Sequence, residues 1–372
     1  MKRTMNPMKL MFFINGTEGS AAGVRSRLLA QRLPQDWQVQ FHYRPSPKWK
    51  GIIPFIQAAI ACHPDIIYVM DTAYTGVIAG YVAKKLLGCK VVTDTGDVAF
   101  ELAKSTGTYS KPQLALIDGV EKLATYQSDH LVVRGSYHQE WFSHQGINQV
   151  TFIPDGVVTR EIHPPDCTAM KQRFGLADTL TVGLIGTMSW SDQHQMCYGW
   201  DVVEALAFLK DVPIKALLVG DGDGRSILEQ RAEELGVRDR IVFVGQVPYD
   251  TLSEYLAAID ICISTQSNDL VGQVRTTGKL PLYLAHQKYV IATDVGEARR
   301  VLPGIGCLLP YEGVRDDGHP VRLAAHLREL VENPSLLKVA ESADRVAAEH
   351  FDYDVLAKRV ENLCLQLVKS TH

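Results

Sequence analysis

The sequence predicts an α/β protein built from two doubly wound domains. Short apolar runs rich in β-branched residues alternate with longer amphipathic stretches, the pattern of parallel sheets covered by helices on both faces. This pattern restarts after a proline-containing segment at 163–166. The chain has 372 residues, enough for two domains of roughly 150 residues each.

Apolar runs predict five strands in the first half. They are expected at 9–14, 65–70, 90–93, 131–133 and 150–153. The apolar spacing between them predicts helices at 22–33 and 75–87, and a further helical region after the third strand.

The second half repeats the alternation of strand and helix. Strands are expected at 180–185, 214–219, 241–244, 259–263 and 288–292. Helices are predicted at about 199–210, 224–236, 250–258 and 278–287.

These elements predict a domain covering 1–165 and a second domain covering 166–351. A closing helix at 354–368, within the segment 352–372, is expected to pack back on the first domain. Because open α/β sheets bind ligands outside the carboxyl ends of their strands, the two domains are expected to face each other across a ligand-binding cleft.

Composition excludes several classes of protein. Thirty-eight Lys and Arg residues against 42 Asp and Glu give a net charge of −4, so no global basic field indicates a nucleic-acid partner. Seven scattered cysteines without a C-x-x-C pair predict neither a disulfide framework nor a zinc site. The apolar run at 10–14 is far shorter than the ~20 residues of a membrane span. We therefore expect a cytoplasmic protein without a transmembrane segment, although a peripheral membrane contact is not excluded.

A glycine-rich loop follows the first strand. Gly16, Gly19 and Gly23 open the next helix, where backbone N–H groups and the helix terminus favour an anion. The spacing fits neither the dinucleotide fingerprint nor a P-loop. A plain strand-to-helix turn is the equally weighted alternative.

Two carboxylates follow the strand at 90–93. Asp94 and Asp97 could orient sugar hydroxyl groups or act as a base. Capping of the following helix explains them equally well.

Two loops of the second half join strands to helices. The loop 186–199 is long and polar, which is typical of a segment that lines a site; its His194 is a candidate ligand contact or a solvated side chain. The turn 220–224 is glycine-rich, and a structural role is favoured there.

The segment 264–285 is the most informative stretch. Arg275 and Lys279 lie one helical turn apart, and Thr276, Thr277 and Gly278 stand at the predicted helix start. Two cations together with free N–H groups make a diphosphate site. A solvated surface pair is the alternative, but the apolar run 280–285 predicts a buried helix and favours the site.

The order of these motifs resembles the GT-B glycosyltransferases, most nearly the retaining, nucleotide-sugar-dependent family 4 (glycosyl transferases group 1). The similar segments are 153–156, 217–229, 239–248, 255–260 and 285–296, with 16–25 and 94–97 in the first half. The resemblance implies two Rossmann-like domains.

The resemblance also implies site residues. The nucleotide base would face Gly245, Gln246 and Val247. The donor would further contact Gly186, Thr187 and Gly220. Gly16, Thr17, Gly19 and Arg25 would lie on the acceptor side.

Four family positions differ in this chain. The E-x7-E glutamates are replaced by Val274 and Leu282, the family's Arg by Thr187, and its Lys by Tyr198. The fold is therefore better supported than the usual donor chemistry.

These observations predict a hexosyltransferase-type enzyme that uses a nucleoside diphosphate sugar and an unidentified carbohydrate, lipid-linked or small-molecule acceptor. Arg275 and Lys279 would stabilise the leaving diphosphate, and Asp94 or Asp97 would position the acceptor. No metal and no cofactor beyond the donor co-substrate are expected. The alternatives are a non-catalytic GT-B protein that binds a nucleotide or a partner, and a sugar-nucleotide 2-epimerase.

Overall fold

A computed structural model describes residues 7–162 and 166–369, which form two compact units. The first unit comprises 7–156, 274–276 and 353–369, and the second comprises 157–162, 166–273 and 277–352. The first unit thus ends at Gly156, before the boundary expected at 165, and residue 165 itself lies outside the described residues. No local pattern in the sequence indicates that 274–276 belong to the first unit.

The first unit contains a six-stranded parallel sheet in the order β2-β1-β3-β4-β5-β6. Its strands are β1 (Lys9–Ile14), β2 (Gln38–Tyr43), β3 (Ile66–Met70), β4 (Lys90–Thr95), β5 (His130–Val133) and β6 (Val150–Phe152). Its first helices are α1 (Ala21–Ala30), α2 (Ile52–Cys62), α3 (Tyr74–Leu87), α4 (Ala99–Thr106), α5 (Lys111–Gln127) and α6 (Ser136–His144).

The second unit contains another six-stranded parallel sheet, in the order β12-β11-β10-β7-β8-β9. Its strands are β7 (Leu180–Ile185), β8 (Ile214–Val219), β9 (Ile241–Gly245), β10 (Ile261–Ser264), β11 (Tyr289–Thr293) and β12 (Cys307–Leu309). Its helices are α7 (Cys167–Arg173), α8 (Trp200–Ala207), α9 (Arg225–Glu234), α10 (Leu252–Ala257), α11 (Leu270–Gln273), α12 (Lys279–Ala285), α13 (Gly296–Val301), α14 (His319–Glu332) and α15 (Ala343–His350).

The last helix, α16 (Tyr353–Lys369), belongs to the first unit and packs against α1. Arg32 Nε, just after α1, donates to Asp354 Oδ1 over 2.6 Å. Apolar side chains of α16, including Leu356 and Val360, are fully buried, so the helix covers one face of the first unit.

The central strands form because both of their faces are covered. The residues of β3 are buried throughout, and so are Leu10 to Ile14 in β1. On one side of the first sheet, Phe13 stacks on Phe55 of α2 with ring centroids 4.6 Å apart. Such strands appear in the sequence as continuous apolar runs.

The structure adds two edge strands to the predicted ones. In β2 the polar residues Gln38, Gln40 and His42 alternate with a valine and two aromatic residues, and the strand is only partly buried. The other added strand, β12, has only three residues. An edge strand has a neighbour on one side and needs no apolar run, so β2 gave no such signal. The apolar run of β12 is too short to predict a strand.

Some helices are shorter than predicted. After α1 the chain continues through turn hydrogen bonds, from Arg32 N to Leu29 O and from Leu33 N to Ala30 O. The predicted helix 250–258 is a 3₁₀ turn (Tyr249–Thr251) followed by α10. Other 3₁₀ segments are Lys48–Gly51, Thr159–Glu161, Arg238–Arg240 and Pro334–Ser342. Among the described residues, no helix has both the length and the apolar character needed to cross a membrane.

Candidate functional site

The first sheet has a topological switch point between β1 and β3, because β1 pairs with β2 on its other side. Asn15 directly follows β1 and bridges this point: its Nδ2 donates to the carbonyl oxygens of Met70 (2.7 Å) and Asp71 (2.8 Å). Its Oδ1 accepts from the Gly76 amide over 3.0 Å. The loops at which α/β sheets bind ligands are therefore tied together in this unit.

A buried charge network lies beneath these loops and centres on Asp94. Arg25 Nη2 donates to Asp94 Oδ2 over 3.0 Å, and Arg134 Nε donates to Oδ1 over 2.8 Å. The hydroxyl of Tyr68 also donates to Oδ2, over 3.0 Å. Burial by itself would raise the pKa of Asp94, but the charges of Arg25 and Arg134 hold that pKa below its ordinary value.

Two predicted site residues must be reassigned because of this network. The side chain of Asp94 is 0% exposed and that of Arg25 is 2% exposed. Their polar groups face each other and the carbonyl oxygens of Ile153 and Pro154. Asp94 is thus not placed to position an acceptor, nor Arg25 to contact one; both stabilise the first unit.

Asp97 accepts a hydrogen bond from Arg275 Nε, and both side chains are partly exposed. Arg275 reaches Asp97 because Gly135 lets the segment 274–276 approach closely: a Cβ there would lie 2.1 Å from the Val274 carbonyl oxygen. The neighbouring Thr276 is buried, and its Oγ1 has no hydrogen-bond partner among the described residues.

The predicted pairing of Arg275 with Lys279 needs correction. Arg275 precedes α12, belongs to the first unit and is engaged by Asp97, whereas Lys279 begins α12 in the second unit. The four-residue spacing indicated one helical turn, but the helix starts only after Gly278.

The first glycine loop is a tightly closed turn that begins α1. Ser20 Oγ donates to the Thr17 carbonyl (2.6 Å) and accepts from the Gly23 amide (3.2 Å). A Cβ at Gly23 would lie 2.4 Å from the carbonyl oxygens of Thr17 and Glu18. Gly16 is partly buried, whereas Thr17 and Gly19 are exposed and remain candidate acceptor contacts.

In the second unit, three predicted glycines meet at the carboxyl ends of β7, β8 and β9. The Gly220 amide donates to Gly245 O, and the Gly186 amide donates to Val219 O, both over 2.9 Å. A Cβ at Gly220, where φ is +136°, would lie 1.9 Å from the Gly186 carbonyl oxygen. Only glycine fits at this position, so the close approach of these loops depends on it.

Lys279 lies at the switch point of the second sheet, where β7 pairs with β8 on one side and β10 on the other. Its Nζ is 3.3 Å from the position that a Cβ on Gly186 would occupy. The helix that carries it is anchored under β7 by Tyr283, whose hydroxyl accepts from the Ile185 amide over 2.8 Å. The ammonium group is therefore held beside the carboxyl end of β7.

Tyr198 lies against this ammonium group, with its ring centroid 3.4 Å from Lys279 Nζ. Gln266 Nε2 donates to the Tyr198 hydroxyl over 3.0 Å. Gln266 is fixed in turn by Thr293, whose hydroxyl accepts from the Gln266 amide and donates to its carbonyl. Sequence reasoning treated Tyr198 only as a departure from the family pattern, because its partners are far apart in the chain.

The remaining predicted donor-side residues differ in their exposure. Thr187, Gln246 and Gly278 are exposed, Thr277 is partly buried, and Val247 packs partly against the apolar core. His194 contributes its carbonyl oxygen to Arg315 Nη1 over 3.2 Å. Within 7–162 and 166–369, no group of three or more His, Cys, Asp or Glu side chains is placed to hold a metal ion.

Two six-stranded parallel sheets, each covered by helices and each with its polar groups at the carboxyl strand ends, define the GT-B class of fold. Solved structures show the same fold. Anabaena Alr3699/HepE in complex with UDP and glucose is 19% identical, with a TM-score of 0.73 over 96% of this chain and 98% of that chain.

Residues 179–333 match the family described as Glycosyl transferases group 1, which confirms the resemblance seen in the motifs. The chain is 26% identical over 219 residues to a 2-deoxystreptamine glucosyltransferase of Streptomyces kanamyceticus, covering 56% of this chain and 55% of the relative. It is 27% identical over 236 residues to a D-inositol 3-phosphate glycosyltransferase of Xylanimonas cellulosilytica, covering 60% and 52%. The chain thus spans about half the length of these curated relatives.

Proposed function

We propose that this protein is a hexosyltransferase that moves a sugar from a nucleoside diphosphate sugar to a hydroxyl group of an acceptor. The observation that carries this proposal is the position of Lys279 beside Gly186 at the switch point of the second sheet. An ammonium group at this edge is suited to a bound diphosphate.

In the proposed reaction, the bond between the anomeric carbon and the diphosphate oxygen breaks, and its electron pair leaves with the nucleoside diphosphate. The acceptor oxygen bonds to the anomeric carbon, and its proton passes to the departing diphosphate. Lys279 stabilises the negative charge that develops on the leaving group. Because the Lys279 ammonium group supplies the compensating positive charge, we propose that transfer needs no metal ion. Retention of configuration at the anomeric carbon is proposed from the family resemblance.

A uridine diphosphate hexose is the donor that we propose. The solved neighbour bound to UDP and glucose and the glucosyltransferase relative support this choice. Gly245, Gln246 and Val247 are proposed to face the base. Gly186, Thr187 and Gly220 are proposed to line the diphosphate, together with Thr277 and Gly278 ahead of α12.

The acceptor is proposed to bind at the first unit. Thr17 and Gly19 of the exposed glycine loop and the partly exposed Asp97 are the predicted contacts that remain accessible there. The names of the two curated relatives suggest a polyhydroxylated ring as the class of acceptor.

The alternative is a GT-B protein that binds a nucleotide without transferring a sugar. It is favoured by Leu282, which stands where the family has a glutamate and packs in the apolar core of the second unit. No carboxylate is available at that position to engage a donor sugar.

The test combines binding with transfer. UDP affinity is measured by calorimetry, and transfer from UDP-glucose to 2-deoxystreptamine, myo-inositol and methyl glucoside is measured by mass spectrometry. Lys279→Ala should weaken UDP binding at least tenfold and slow transfer. Lys210→Ala, an exposed lysine of the same unit, should change neither.

Each contrary result has its own meaning. UDP binding without transfer to any acceptor would favour the non-catalytic alternative. Transfer by Lys279→Ala at the wild-type rate and with unchanged donor affinity would contradict the assignment of the donor site.

A further inference from the structure

Asp71 occupies an unusual backbone position at the switch point of the first sheet. It directly follows β3, and its φ is +65°. A non-glycine residue in this left-handed region is uncommon, although Asp and Asn tolerate it better than most. Such positions persist where the surrounding structure holds them, often at functional sites.

Three contacts hold Asp71 in place. Its amide donates to the Asp94 carbonyl (2.8 Å), and its own carbonyl accepts from Asn15 Nδ2 (2.8 Å). Arg134 Nη2 donates to Asp71 Oδ1 over 2.7 Å. Arg134 is itself fixed by the buried carboxylate of Asp94, so the backbone and one carboxylate oxygen of Asp71 are both anchored to the charge network.

The other carboxylate oxygen of Asp71, Oδ2, differs from Oδ1 in its hydrogen bonding. Oδ2 accepts no hydrogen bond from the residues that the structure describes, and the side chain of Asp71 is 42% exposed, against 0% for Asp94. A carboxylate held rigidly through one oxygen offers the other as an oriented acceptor for a ligand O–H group.

The surroundings favour a hydrogen-bond donor at this oxygen. Burial raises the pKa of Asp71, and the charge of Arg134 reverses this only in part. An O–H donor at this partly exposed carboxylate would stabilise its charged form further.

We propose that Asp71 is an acceptor-binding residue of the first unit, with Oδ2 accepting a hydrogen bond from a hydroxyl group of a polyhydroxylated acceptor. This inference rests on the proposed function and gives Asp71 the positioning role that the sequence assigned to Asp94 or Asp97. Asp71 orients the acceptor and takes no proton, since the proton of the reacting hydroxyl leaves with the diphosphate.

The test uses Asp71→Asn and Asp71→Gly in the full chain. Both residues adopt the left-handed conformation, so neither change strains the backbone. His63→Gly is the matched control, because His63 has a φ of +48° at the end of α2 in the same unit. For each variant we would measure the acceptor KM at saturating UDP-glucose, the calorimetric Kd for UDP, and the melting temperature. The acceptor is whichever of 2-deoxystreptamine, myo-inositol and methyl glucoside the wild type uses best.

We expect both Asp71 variants to raise the acceptor KM at least tenfold while the Kd for UDP stays within twofold. His63→Gly should leave both constants unchanged. An unchanged acceptor KM in Asp71→Gly would overturn the inference and leave the proposed function standing. A parallel loss of acceptor binding, UDP binding and melting temperature in both variants would also overturn it, because it would show a structural role. A wild-type protein that transfers to none of the three acceptors would overturn the proposed function itself.

Discussion

The Lys279 ammonium group lies 3.4 Å from the centroid of the Tyr198 ring. The ring is held by Gln266, and the helix that carries the lysine is anchored by Tyr283. A cation over an aromatic face is stabilised by ~0.5–2 kcal/mol, depending on its exposure to water. Tyr198 therefore holds in place the one charge on which the proposed donor site depends.

Removing the ring should weaken donor binding. We expect Tyr198→Leu to lower UDP affinity by ~3- to 10-fold, because the ammonium group loses the aromatic face that positions it. Tyr198→Phe keeps the aromatic face and loses the hydrogen bond from Gln266, so its UDP affinity should stay within about twofold. Calorimetry with UDP measures both; equal losses in the two variants would contradict the role of the ring.

A side chain at Gly220 should disrupt the loops of the second unit. In Gly220→Ala the new Cβ would collide with the Gly186 carbonyl oxygen, 1.9 Å away, at a φ of +136°. We expect a fall in melting temperature together with weaker UDP binding. Gly236→Ala is the comparison, since its φ of +67° is also left-handed but only the Lys210 side chain lies nearby, at 3.7 Å. It should cost only ~1 kcal/mol and leave UDP affinity unchanged.

Neutralising Asp94 should destabilise the first unit. Asp94→Asn leaves the buried Arg25 and Arg134 without their shared carboxylate. We expect this to lower the free energy of unfolding by about 3–5 kcal/mol. Thermal unfolding measures it. Asp118→Asn, which removes an exposed pair with Lys122, should cost at most about 0.5 kcal/mol.

Asp94→Asn should also change how the melting temperature falls at acidic pH. Because the folded-state pKa of Asp94 is lowered, its contribution is present above its unfolded pKa of about 3.9 and is lost as the pH falls through the folded value. The melting temperature of the wild type should therefore fall more steeply below about pH 4 than that of Asp94→Asn. Parallel acid profiles would argue against the network.

Asp201, at the start of α8, should make folding stability depend on pH in the opposite sense to Asp94. Burial raises its pKa to about 7, the charge of Asp316 adds to this, and a hydrogen bond with Thr265 opposes it. Between about pH 4 and 7 the folded state holds a proton that the unfolded state has released, so stability falls as the pH rises across this range.

Asp201→Asn removes this proton dependence. The variant should melt above the wild type at pH 8, by an amount corresponding to at most about 4 kcal/mol, and the difference should shrink toward pH 5. Asp250→Asn, an exposed carboxylate of the same unit, should show no such trend. A pH-independent difference for Asp201→Asn would contradict the raised pKa.

Local sequence determined the central architecture. The strands predicted at 9–14, 180–185 and 214–219 have the same bounds in the structure. Strands that are buried on both faces need continuous apolar residues, and this requirement is visible without knowing any neighbour. The edge strand β2 lacks that requirement and β12 has only three residues, so only the sheet itself reveals them.

For the candidate site, the sequence determined which residue types stand at the strand ends, including the glycines and Lys279. Their spacing is local, and the chemistry of an ammonium group or a glycine turn can be inferred from neighbouring residues. The tertiary structure decided which of them are available. It buries Asp94 between two arginines, engages Arg275 with Asp97, and leaves the Asp71 side chain partly exposed. Each outcome depends on contacts between side chains from distant segments of the chain. These side chains meet only in the folded sheet, so local spacing in the sequence does not encode their contacts.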